Sequence, residues 1–335
     1  MLVKPYKDIG VALLLGAMAV TCAWVYRQFT QDDAYITYRF ARNLADGYGF
    51  VYNVGEPVLG TSTPLYTLVL ALGSKLSGRA VDLVSRWISL VSLWLGGVVL
   101  YDLEKGEGRL PAASAALIFI TNPVLVTSIG METFFLNLLL LSCLKSYADR
   151  HFTLTGLLLG CLVLTRYEMA LWAGLLGLHF VARFGRWPLW MISTIVIVGA
   201  WLAAAWLTFG RLLPQSAIAK LIDQRLPFAF GAMLLWRHYA DQTLWCIVLL
   251  PLALLGGYVA VRDKFYWPAP AHVLLLAWGG IYFIAASLFA GSFTWYYGPL
   301  VPLFSILVVG MIRTVILLLF LIKGGFYIYQ HGLFG

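Results

Sequence analysis

The chain becomes polar directly after its first apolar segment, at Gln31-Asp32-Asp33-Ala34-Tyr35-Ile36-Thr37-Tyr38-Arg39-Phe40-Ala41-Arg42-Asn43. This stretch holds two adjacent carboxylates, two arginines and two tyrosines in otherwise apolar surroundings. Adjacent carboxylates repel each other, so keeping both beside a membrane is costly unless a cation, a proton or a cationic transition state uses their charge. The stretch is therefore the candidate active site. An alternative stays open, and both can hold together: Asp32 or Asp33 caps the helix that begins near Ala34, while Arg39 and Arg42 reach lipid phosphates.

The composition is that of a membrane protein. Of 335 residues, 61% are hydrophobic and 11% are charged, which is typical of polytopic membrane proteins and excludes a soluble domain. The net charge of +8 comes from small basic groups between apolar runs, which membrane topology explains better than nucleic-acid binding. We therefore predict an all-α polytopic membrane protein with no nucleic-acid partner.

The first apolar run, over 9–26, follows Lys4 and Lys7, a pattern shared by signal peptides and signal anchors. Because the run continues past its candidate cleavage site, we favour a retained anchor with a cytoplasmic N-terminus. The loop 27–80 then lies on the outer face and carries the pair of aspartates, whether or not the first segment is cleaved.

Two short helices are predicted within this outer loop. Over 33–46, apolar and polar side chains occupy different faces, and the apolar face carries Ile36, Phe40 and Leu44. A second apolar helix over 64–77 would be about 21 Å long, too short to cross a hydrocarbon core of about 30 Å. We therefore expect two amphipathic juxtamembrane helices in the outer catalytic loop.

The basic residues test this expectation. If the later apolar runs cross the membrane, the short loops on the cytoplasmic side, where Lys4 lies, carry basic pairs such as Lys105 with Arg109 and Arg183 with Arg186. This alternation predicts about eleven spans in a single domain over 1–335, with no soluble domain after the last of them. The predicted spans are 9–26, 81–101, 110–127, 131–148, 152–166, 169–184, 188–209, 242–261, 271–290, 295–312 and 314–331.

Other polar residues near the membrane fall on the predicted outer face. Each of these residues could also have a purely structural role. Glu132 would stabilise a helix N-terminus, and Arg166 would form an ion pair with Glu168. Lys220 would extend its charged end to the membrane interface, and Tyr296 would belong to an interfacial aromatic belt. Their convergence on the face that carries the aspartates nevertheless indicates a site. Such a set suits a reaction between a lipid-borne anionic substrate and a polar acceptor.

Seven segments carry a resemblance, in this order along the chain: Asp32–Leu44, Gly47–Glu56, Gly60–Tyr66, Gly130–Thr133, Leu164–Glu168, Leu213–Ser216 with Lys220, and Trp295–Tyr297. In these segments the chain resembles the bacterial polytopic GT-C glycosyltransferases, more narrowly their mannosyltransferase-like and terminal arabinofuranosyltransferase-like branches. The resemblance implies transfer of a sugar from a polyprenyl-phosphate donor to a glycan, lipid or protein acceptor, with inversion at the anomeric carbon. It further implies a role in cell-envelope biogenesis at the outer face of the bacterial cytoplasmic membrane.

The resemblance also implies roles for individual residues. Asp32 would be the general base, and Asp33 would support it or bind a divalent metal such as Mg²⁺ or Mn²⁺ where a member uses one. The remaining candidates would contact substrates: Arg39, Arg42, Arg166 and Lys220 for the donor phosphate, Glu132 and Glu168 for the sugar or acceptor, and Tyr296 for the substrate.

Two other functions stay open. A transporter or flippase of lipid-linked substrates would use the acids to relay protons or ions near the bilayer midplane. The aspartates lie instead in a loop at one surface, which favours an enzyme. A non-catalytic subunit of a larger membrane complex would keep the fold without the activity.

Overall fold

The structure is a computed structural model, and it describes residues 6–216, 218, 233, 270–289 and 294–312. Within these residues all regular secondary structure is helical, as predicted. The α-helices are α1 (Tyr6–Val25), α2 (Ala34–Ala45), α3 (Pro64–Ser77), α4 (Val81–Glu104), α5 (Arg109–Ile120), α6 (Pro123–Val126), α7 (Thr133–Ala148), α8 (Phe152–Thr165), α9 (Ala170–Phe184), α10 (Met191–Phe209), α11 (Pro270–Phe289) and α12 (301–312). Short 3₁₀ helices occupy Lys105–Glu107, Tyr167–Met169 and Thr294–Leu300.

Several helices have the length and composition of membrane spans. Five stretches within the described residues meet both requirements, namely Asp8–Val25, Val81–Glu107, Arg109–Val126, Met191–Phe209 and Trp295–Ile312. Three apolar helices are shorter, namely Thr133–Ala148, Phe152–Thr165 and Leu274–Ser287. The chain is thus a multi-pass membrane protein. The predicted spans at 242–261 and 314–331 lie outside the described residues, so the number of spans stays a prediction.

The predicted span 110–127 is not one regular helix. It breaks between α5 and α6, where Asn122 adopts an extended conformation (ψ 126°) and its side chain accepts a hydrogen bond from the Val124 amide. The cause is Pro123, because a proline ring disfavours the helical conformation of the residue before it. The break places the short helix α6 beside the 3₁₀ helix Thr294–Leu300.

The main hydrophobic core runs through the bundle, with α4 packed against α1, α5 and α7. Close backbone contact joins α8 to α10. The spacing of Gly156 and Gly160 predicts helix packing, and a Cβ on Gly156 would lie 2.1 Å from the Trp190 carbonyl oxygen. Thr194 Oγ1 also donates a hydrogen bond of 2.7 Å to the Gly156 carbonyl oxygen. The packing prediction is confirmed.

The two juxtamembrane helices form a second layer with its own hydrophobic cluster. Tyr66 and Leu70 of α3 are buried in it against Ala41 of α2, and the cluster continues to Met131 and Trp295 at the ends of bundle helices. Pro64 occupies the first turn of α3, where its missing amide hydrogen costs nothing. Both helices occur where the sequence predicts them.

The buried face of α2 differs from the predicted apolar face. Phe40 is buried as expected, but Ile36 is 39% exposed and the polar residues Thr37 and Tyr38 are buried. The expectation was wrong because both hydroxyls find hydrogen-bond partners inside the protein, so their polarity does not keep them at the surface. Ile36 instead lines a cavity beside the helix.

Candidate active site

A cavity lies between α2, the loop before α3 and the ends of several bundle helices. It contains about 440 Å³ of space, including the part that is open to the outside. Asp33, Glu132, Arg166 and Tyr296, which are far apart in the sequence and were all predicted for the site, line it together. The other lining residues are Ile36, Thr37, Gly60, Thr61, Ser62, Thr63, Met131, Ser216 and Trp295.

Asp33 is the member of the aspartate pair that lines the cavity. It occupies the N-cap position of α2, yet its side chain makes no capping hydrogen bond. Backbone carbonyls take that role, since the Ile36 amide donates to the Asp33 carbonyl oxygen. Asp32 is exposed and outside the lining, and its Oδ1 accepts a 2.9 Å hydrogen bond from the Asp33 amide. The capping alternative is therefore wrong for the Asp33 side chain, and Asp32 orients the Asp33 backbone.

Arg166, between α8 and the following 3₁₀ helix, joins three other predicted site residues. Its Nη1 donates to Glu132 Oε1 at 3.0 Å, and its Nε donates to Glu168 Oε1. Its Cζ lies 4.2 Å from the centre of the Tyr296 ring. Arg166 and Glu132 are only 6% and 5% exposed. The ion pair of Arg166 with Glu168 is thus present, and it extends to a buried pair with Glu132.

The charges around Arg166 favour its ionised form. Burial opposes the positive charge of Arg166, but the carboxylates of Glu168 and Glu132, which accept hydrogen bonds from its guanidinium, favour it. Among the described residues that line the cavity, Asp33 and Glu132 are acidic, and Arg166 is basic. This part of the cavity is therefore acidic, which suits polyhydroxylated groups and a proton acceptor.

The turn before α7 is held by hydroxyl groups around the carbonyl oxygen of Gly130. Tyr38 Oη, Ser85 Oγ and Tyr66 Oη lie 2.9, 2.7 and 3.3 Å from that oxygen. Burial raises the pKa of Tyr38 to about 12, so its hydroxyl keeps the proton that it donates. Gly130 has φ 93°, and a Cβ there would lie 2.3 Å from Tyr38 Oη. Glycine is therefore required at this turn, which presents Glu132 to the cavity.

Hydroxyl groups also connect the loop before α3 to its neighbours. Thr37 Oγ1 and Thr61 Oγ1 each lie 3.2 Å from Thr63 Oγ1. Ser216 Oγ donates a 2.7 Å hydrogen bond to the Gly60 carbonyl oxygen, which ties the segment after α10 to this loop. No individual role was predicted for these hydroxyls. Thr61 and Thr63 belong to a Thr-Ser-Thr run ahead of Pro64 that is also typical of an ordinary loop, and Thr37 and Ser216 lie in stretches that the sequence marks only as a whole.

Arg39 and Arg42, two other predicted site residues, are not among the described residues that line the cavity. Arg39 Nε donates to the Tyr52 carbonyl oxygen at 2.8 Å, and its Cζ lies 4.8 Å from the Tyr52 ring centre, so Arg39 anchors the loop after α2. Arg42 is exposed on α2 and is not among the lining residues. Lys220 lies outside the described residues.

A preformed metal site is not found in the part of the chain that the structure describes. No three His, Cys, Asp or Glu side chains lie close enough together there to hold an ion. The metal-binding role implied for Asp33 therefore finds no ligand set among these residues, although a metal held jointly with a substrate phosphate needs fewer protein ligands.

The fold and the site together define a class: a polytopic membrane protein whose two juxtamembrane helices border an acidic cavity. No protein-family model matches the chain. The chain is 30% identical over 242 residues to the terminal beta-(1→2)-arabinofuranosyltransferase of Mycobacterium tuberculosis, and the match covers 63% of this chain and 38% of that protein.

Solved structures specify the fold further. ArnT from Cupriavidus metallidurans bound to undecaprenyl phosphate superposes with a TM-score of 0.68 at 17% identity, covering 91% of this chain and 60% of that one. Its apo state gives a TM-score of 0.65 at 17% identity, with 92% and 60% covered. The chain thus shares the fold of ArnT, which agrees with the resemblance at the level of the fold. It spans less than two thirds of the length of each of these proteins.

Proposed function

We propose that this chain is a membrane glycosyltransferase that moves a sugar from a polyprenyl-phosphate donor to a hydroxyl of a glycan, lipid or protein acceptor. The observation that carries the proposal is the cavity where Asp33, Glu132 and Arg166 meet on a GT-C fold. Two comparisons support the substrate class. The similar mycobacterial protein is an arabinofuranosyltransferase, and the ArnT structure contains undecaprenyl phosphate.

The reaction is a direct displacement at the anomeric carbon. The acceptor oxygen attacks that carbon, its proton passes to an aspartate, and the bond to the donor phosphate breaks, so the configuration inverts. Of the two aspartates, Asp33 is the better general base, because Asp33 lines the cavity while Asp32 is exposed and outside the lining. Asp32 then acts as a positioning residue through its hydrogen bond to the Asp33 amide.

The other residues bind the substrates. Glu132 accepts hydrogen bonds from sugar hydroxyls, and Arg166 holds Glu132 in place. A guanidinium carries five N–H groups, so Arg166 can also donate to the donor phosphate. The described part of the cavity is acidic, so the phosphate needs a further cation. Lys220, four residues after Ser216 in the sequence, is our candidate for that cation.

A transfer assay with paired variants tests the proposal. The purified chain in nanodiscs is offered a panel of polyprenyl-phosphate sugars and acceptors, with Mg²⁺, with Mn²⁺ and with a chelator. Asp33→Asn should lower turnover by about 10²- to 10⁴-fold, because it removes the proton acceptor while keeping the shape. Asp32→Asn should lower it less. Asp46→Asn, an exposed change just after α2, is the matched control and should leave turnover unchanged.

Each result has a defined meaning. Turnover of one donor that Asp33→Asn abolishes supports the enzyme and names the sugar. Full activity of Asp33→Asn together with loss in Asp32→Asn would move the general base to Asp32. If the folded chain turns over none of the donors, the enzyme proposal fails for the chain by itself and a non-catalytic subunit is favoured. Movement of an intact lipid-linked sugar across the membrane would favour the flippase instead.

A further inference from the structure

A second cavity lies on the side of the bundle, away from the acidic one, between α1, α4 and the turn before α7. It contains about 620 Å³ of space and shares no lining residue with the acidic cavity. Two of its lining residues are arginines, Arg27 just after α1 and Arg86 in the second turn of α4. Its wall is otherwise largely apolar, with Leu83, Trp87, Leu90, Leu93, Ile129 and Phe134. We call it the two-arginine groove.

The two arginines have neutral hydrogen-bond partners. Arg27 Nη1 donates to the Trp24 carbonyl oxygen at 2.9 Å, and Arg86 donates to the Arg27 carbonyl oxygen and, at 2.8 Å, to Thr30 Oγ1. Neither guanidinium forms a salt bridge with a described residue, and no carboxylate lines the groove. Among the described residues, therefore, no salt bridge and no lining carboxylate neutralises the two positive charges of the groove.

The position of the groove relative to the membrane follows from its tryptophans. Trp24 and Trp87 are 64% and 59% exposed beside the two arginines, and exposed tryptophans mark the membrane interface. The helices α1 and α4 run side by side from there, since Trp94 Nε1 donates to the Ala12 carbonyl oxygen at 2.9 Å. The arginines thus lie at headgroup level, while Leu90 and Leu93 extend the groove toward the hydrocarbon.

We propose that the two-arginine groove binds one anionic phospholipid of the surrounding membrane. Its headgroup phosphate lies between Arg27 and Arg86, and one acyl chain lies along Trp87, Leu90 and Leu93. Charge complementarity selects the occupant, because two guanidinium groups that lack a described salt bridge, above an apolar wall, match a molecule with a phosphate at one end and a hydrocarbon chain at the other.

The groove also borders the turn that serves the acidic cavity. Ile129 and Phe134 line the groove, while Met131 and Glu132, between them in the sequence, line the acidic cavity. Ser89 lines the groove as well, and its Oγ accepts a 3.1 Å hydrogen bond from the Gly130 amide. A bound lipid therefore packs against this turn from the side opposite the acidic cavity and supports its conformation.

Photocrosslinking tests the proposal on the full chain. Nanodiscs of phosphatidylcholine are doped with phosphatidylglycerol or phosphatidylcholine that carries a diazirine in one acyl chain, and adducts are mapped by peptide mass spectrometry. We expect the phosphatidylglycerol probe to label the peptide containing Trp87, Leu90 and Leu93. Arg27→Gln should reduce this labelling about fivefold, since a basic residue at the surface contributes about one such factor to binding an anionic lipid. Arg211→Gln, an exposed arginine outside the groove, is the matched control.

Four results would overturn the proposal. Equal labelling by the two probes would remove the headgroup selectivity, and unchanged labelling of Arg27→Gln would remove the role of the arginines. Suppression by soluble glycerol phosphate would assign the groove to a free phosphate, and preferential displacement by polyprenyl phosphate would assign it to the donor lipid. Because the readout is a lipid adduct and not sugar transfer, the result is independent of whether the chain proves to be a glycosyltransferase.

Discussion

Arg166 and Glu132, which both line the acidic cavity, form a buried ion pair. Removing two charges from water costs several kcal/mol each, and mutual attraction offsets this cost only when the remaining polar atoms also find partners. Glu168 and the Tyr296 ring supply those partners to the guanidinium. The pair therefore fixes Glu132, but it leaves each member dependent on the other.

Removal of the Arg166 side chain should accordingly destabilise the folded protein strongly. We expect Arg166→Ala to lower the free energy of unfolding by about 3–5 kcal/mol, because it leaves the Glu132 carboxylate buried without its cation. Lys105→Ala is the control, since Lys105 pairs with Asp102 where the side chains are 43% and 35% exposed, and exposed pairs contribute less than about 1 kcal/mol. Denaturant unfolding in detergent micelles measures both.

A double variant distinguishes a specific pair from general damage. If the pair acts as a unit, Arg166→Ala with Glu132→Ala should cost less than the sum of the single changes, because no unpaired carboxylate remains. Additive costs, or a loss below about 1 kcal/mol for Arg166→Ala, would contradict the structural role given to this pair.

At the scale of elements, the turn before α7 connects the juxtamembrane layer to the bundle. The Gly130 carbonyl oxygen lies within hydrogen-bond distance of three hydroxyls, those of Tyr38 on α2, Tyr66 on α3 and Ser85 on α4. The two lone pairs of the carbonyl oxygen and the Ser85 oxygen provide three acceptor positions for the protons of the three hydroxyls. Every hydroxyl can therefore donate a hydrogen bond within the buried network. A satisfied buried network gives these elements one defined arrangement.

Gly130→Ala should break this arrangement. The new Cβ would displace the Tyr38 hydroxyl, so hydrogen bonds worth about 1–3 kcal/mol are lost in addition to backbone strain of about 1–2 kcal/mol. Gly47→Ala is the matched control, since Gly47 has φ 87° but open space where its Cβ would be. Thermal unfolding should therefore show a clearly larger drop in Tm for Gly130→Ala. Equal drops would mean that the network contributes nothing to stability.

At the scale of the whole molecule, the arrangement in the membrane decides where the chemistry takes place. The alternation of basic residues predicts that the loop 27–80 and the acidic cavity face outward and that the loop around Lys105 faces the cytoplasm. The proposed donor would present its sugar at the membrane face where the acidic cavity lies. The orientation therefore determines which acceptors can be reached.

Cysteine labelling tests the orientation. In a variant whose four native cysteines are alanine, Val54→Cys should react with a membrane-impermeant maleimide on intact cells, because Val54 is 61% exposed in the outer loop. Gly106→Cys, exposed beside Lys105, should react only after the membrane is opened. The reverse pattern would invert the predicted topology and place the acidic cavity on the cytoplasmic face.

Much of the architecture was accessible from the sequence because it depends on local quantities. Apolar run length identifies candidate spans, a run too short to cross a bilayer identifies α3, and Pro64 marks where that helix begins. The convergence of Asp33, Glu132, Arg166 and Tyr296 was likewise expected from the predicted outer face. Pro123 also carried a local signal for the break between α5 and α6, which the length of the apolar run obscured.

The sequence by itself determined the membrane class and the helical elements, since hydrophobic length and helix signals are properties of neighbouring residues. Only the tertiary structure decided that Asp33 and not Asp32 lines the cavity, that α2 buries Thr37 and Tyr38, and that Arg166 pairs with Glu132. The reason is physical. Burial and hydrogen bonding of a polar group depend on partners that are distant in the chain, so no local pattern encodes them.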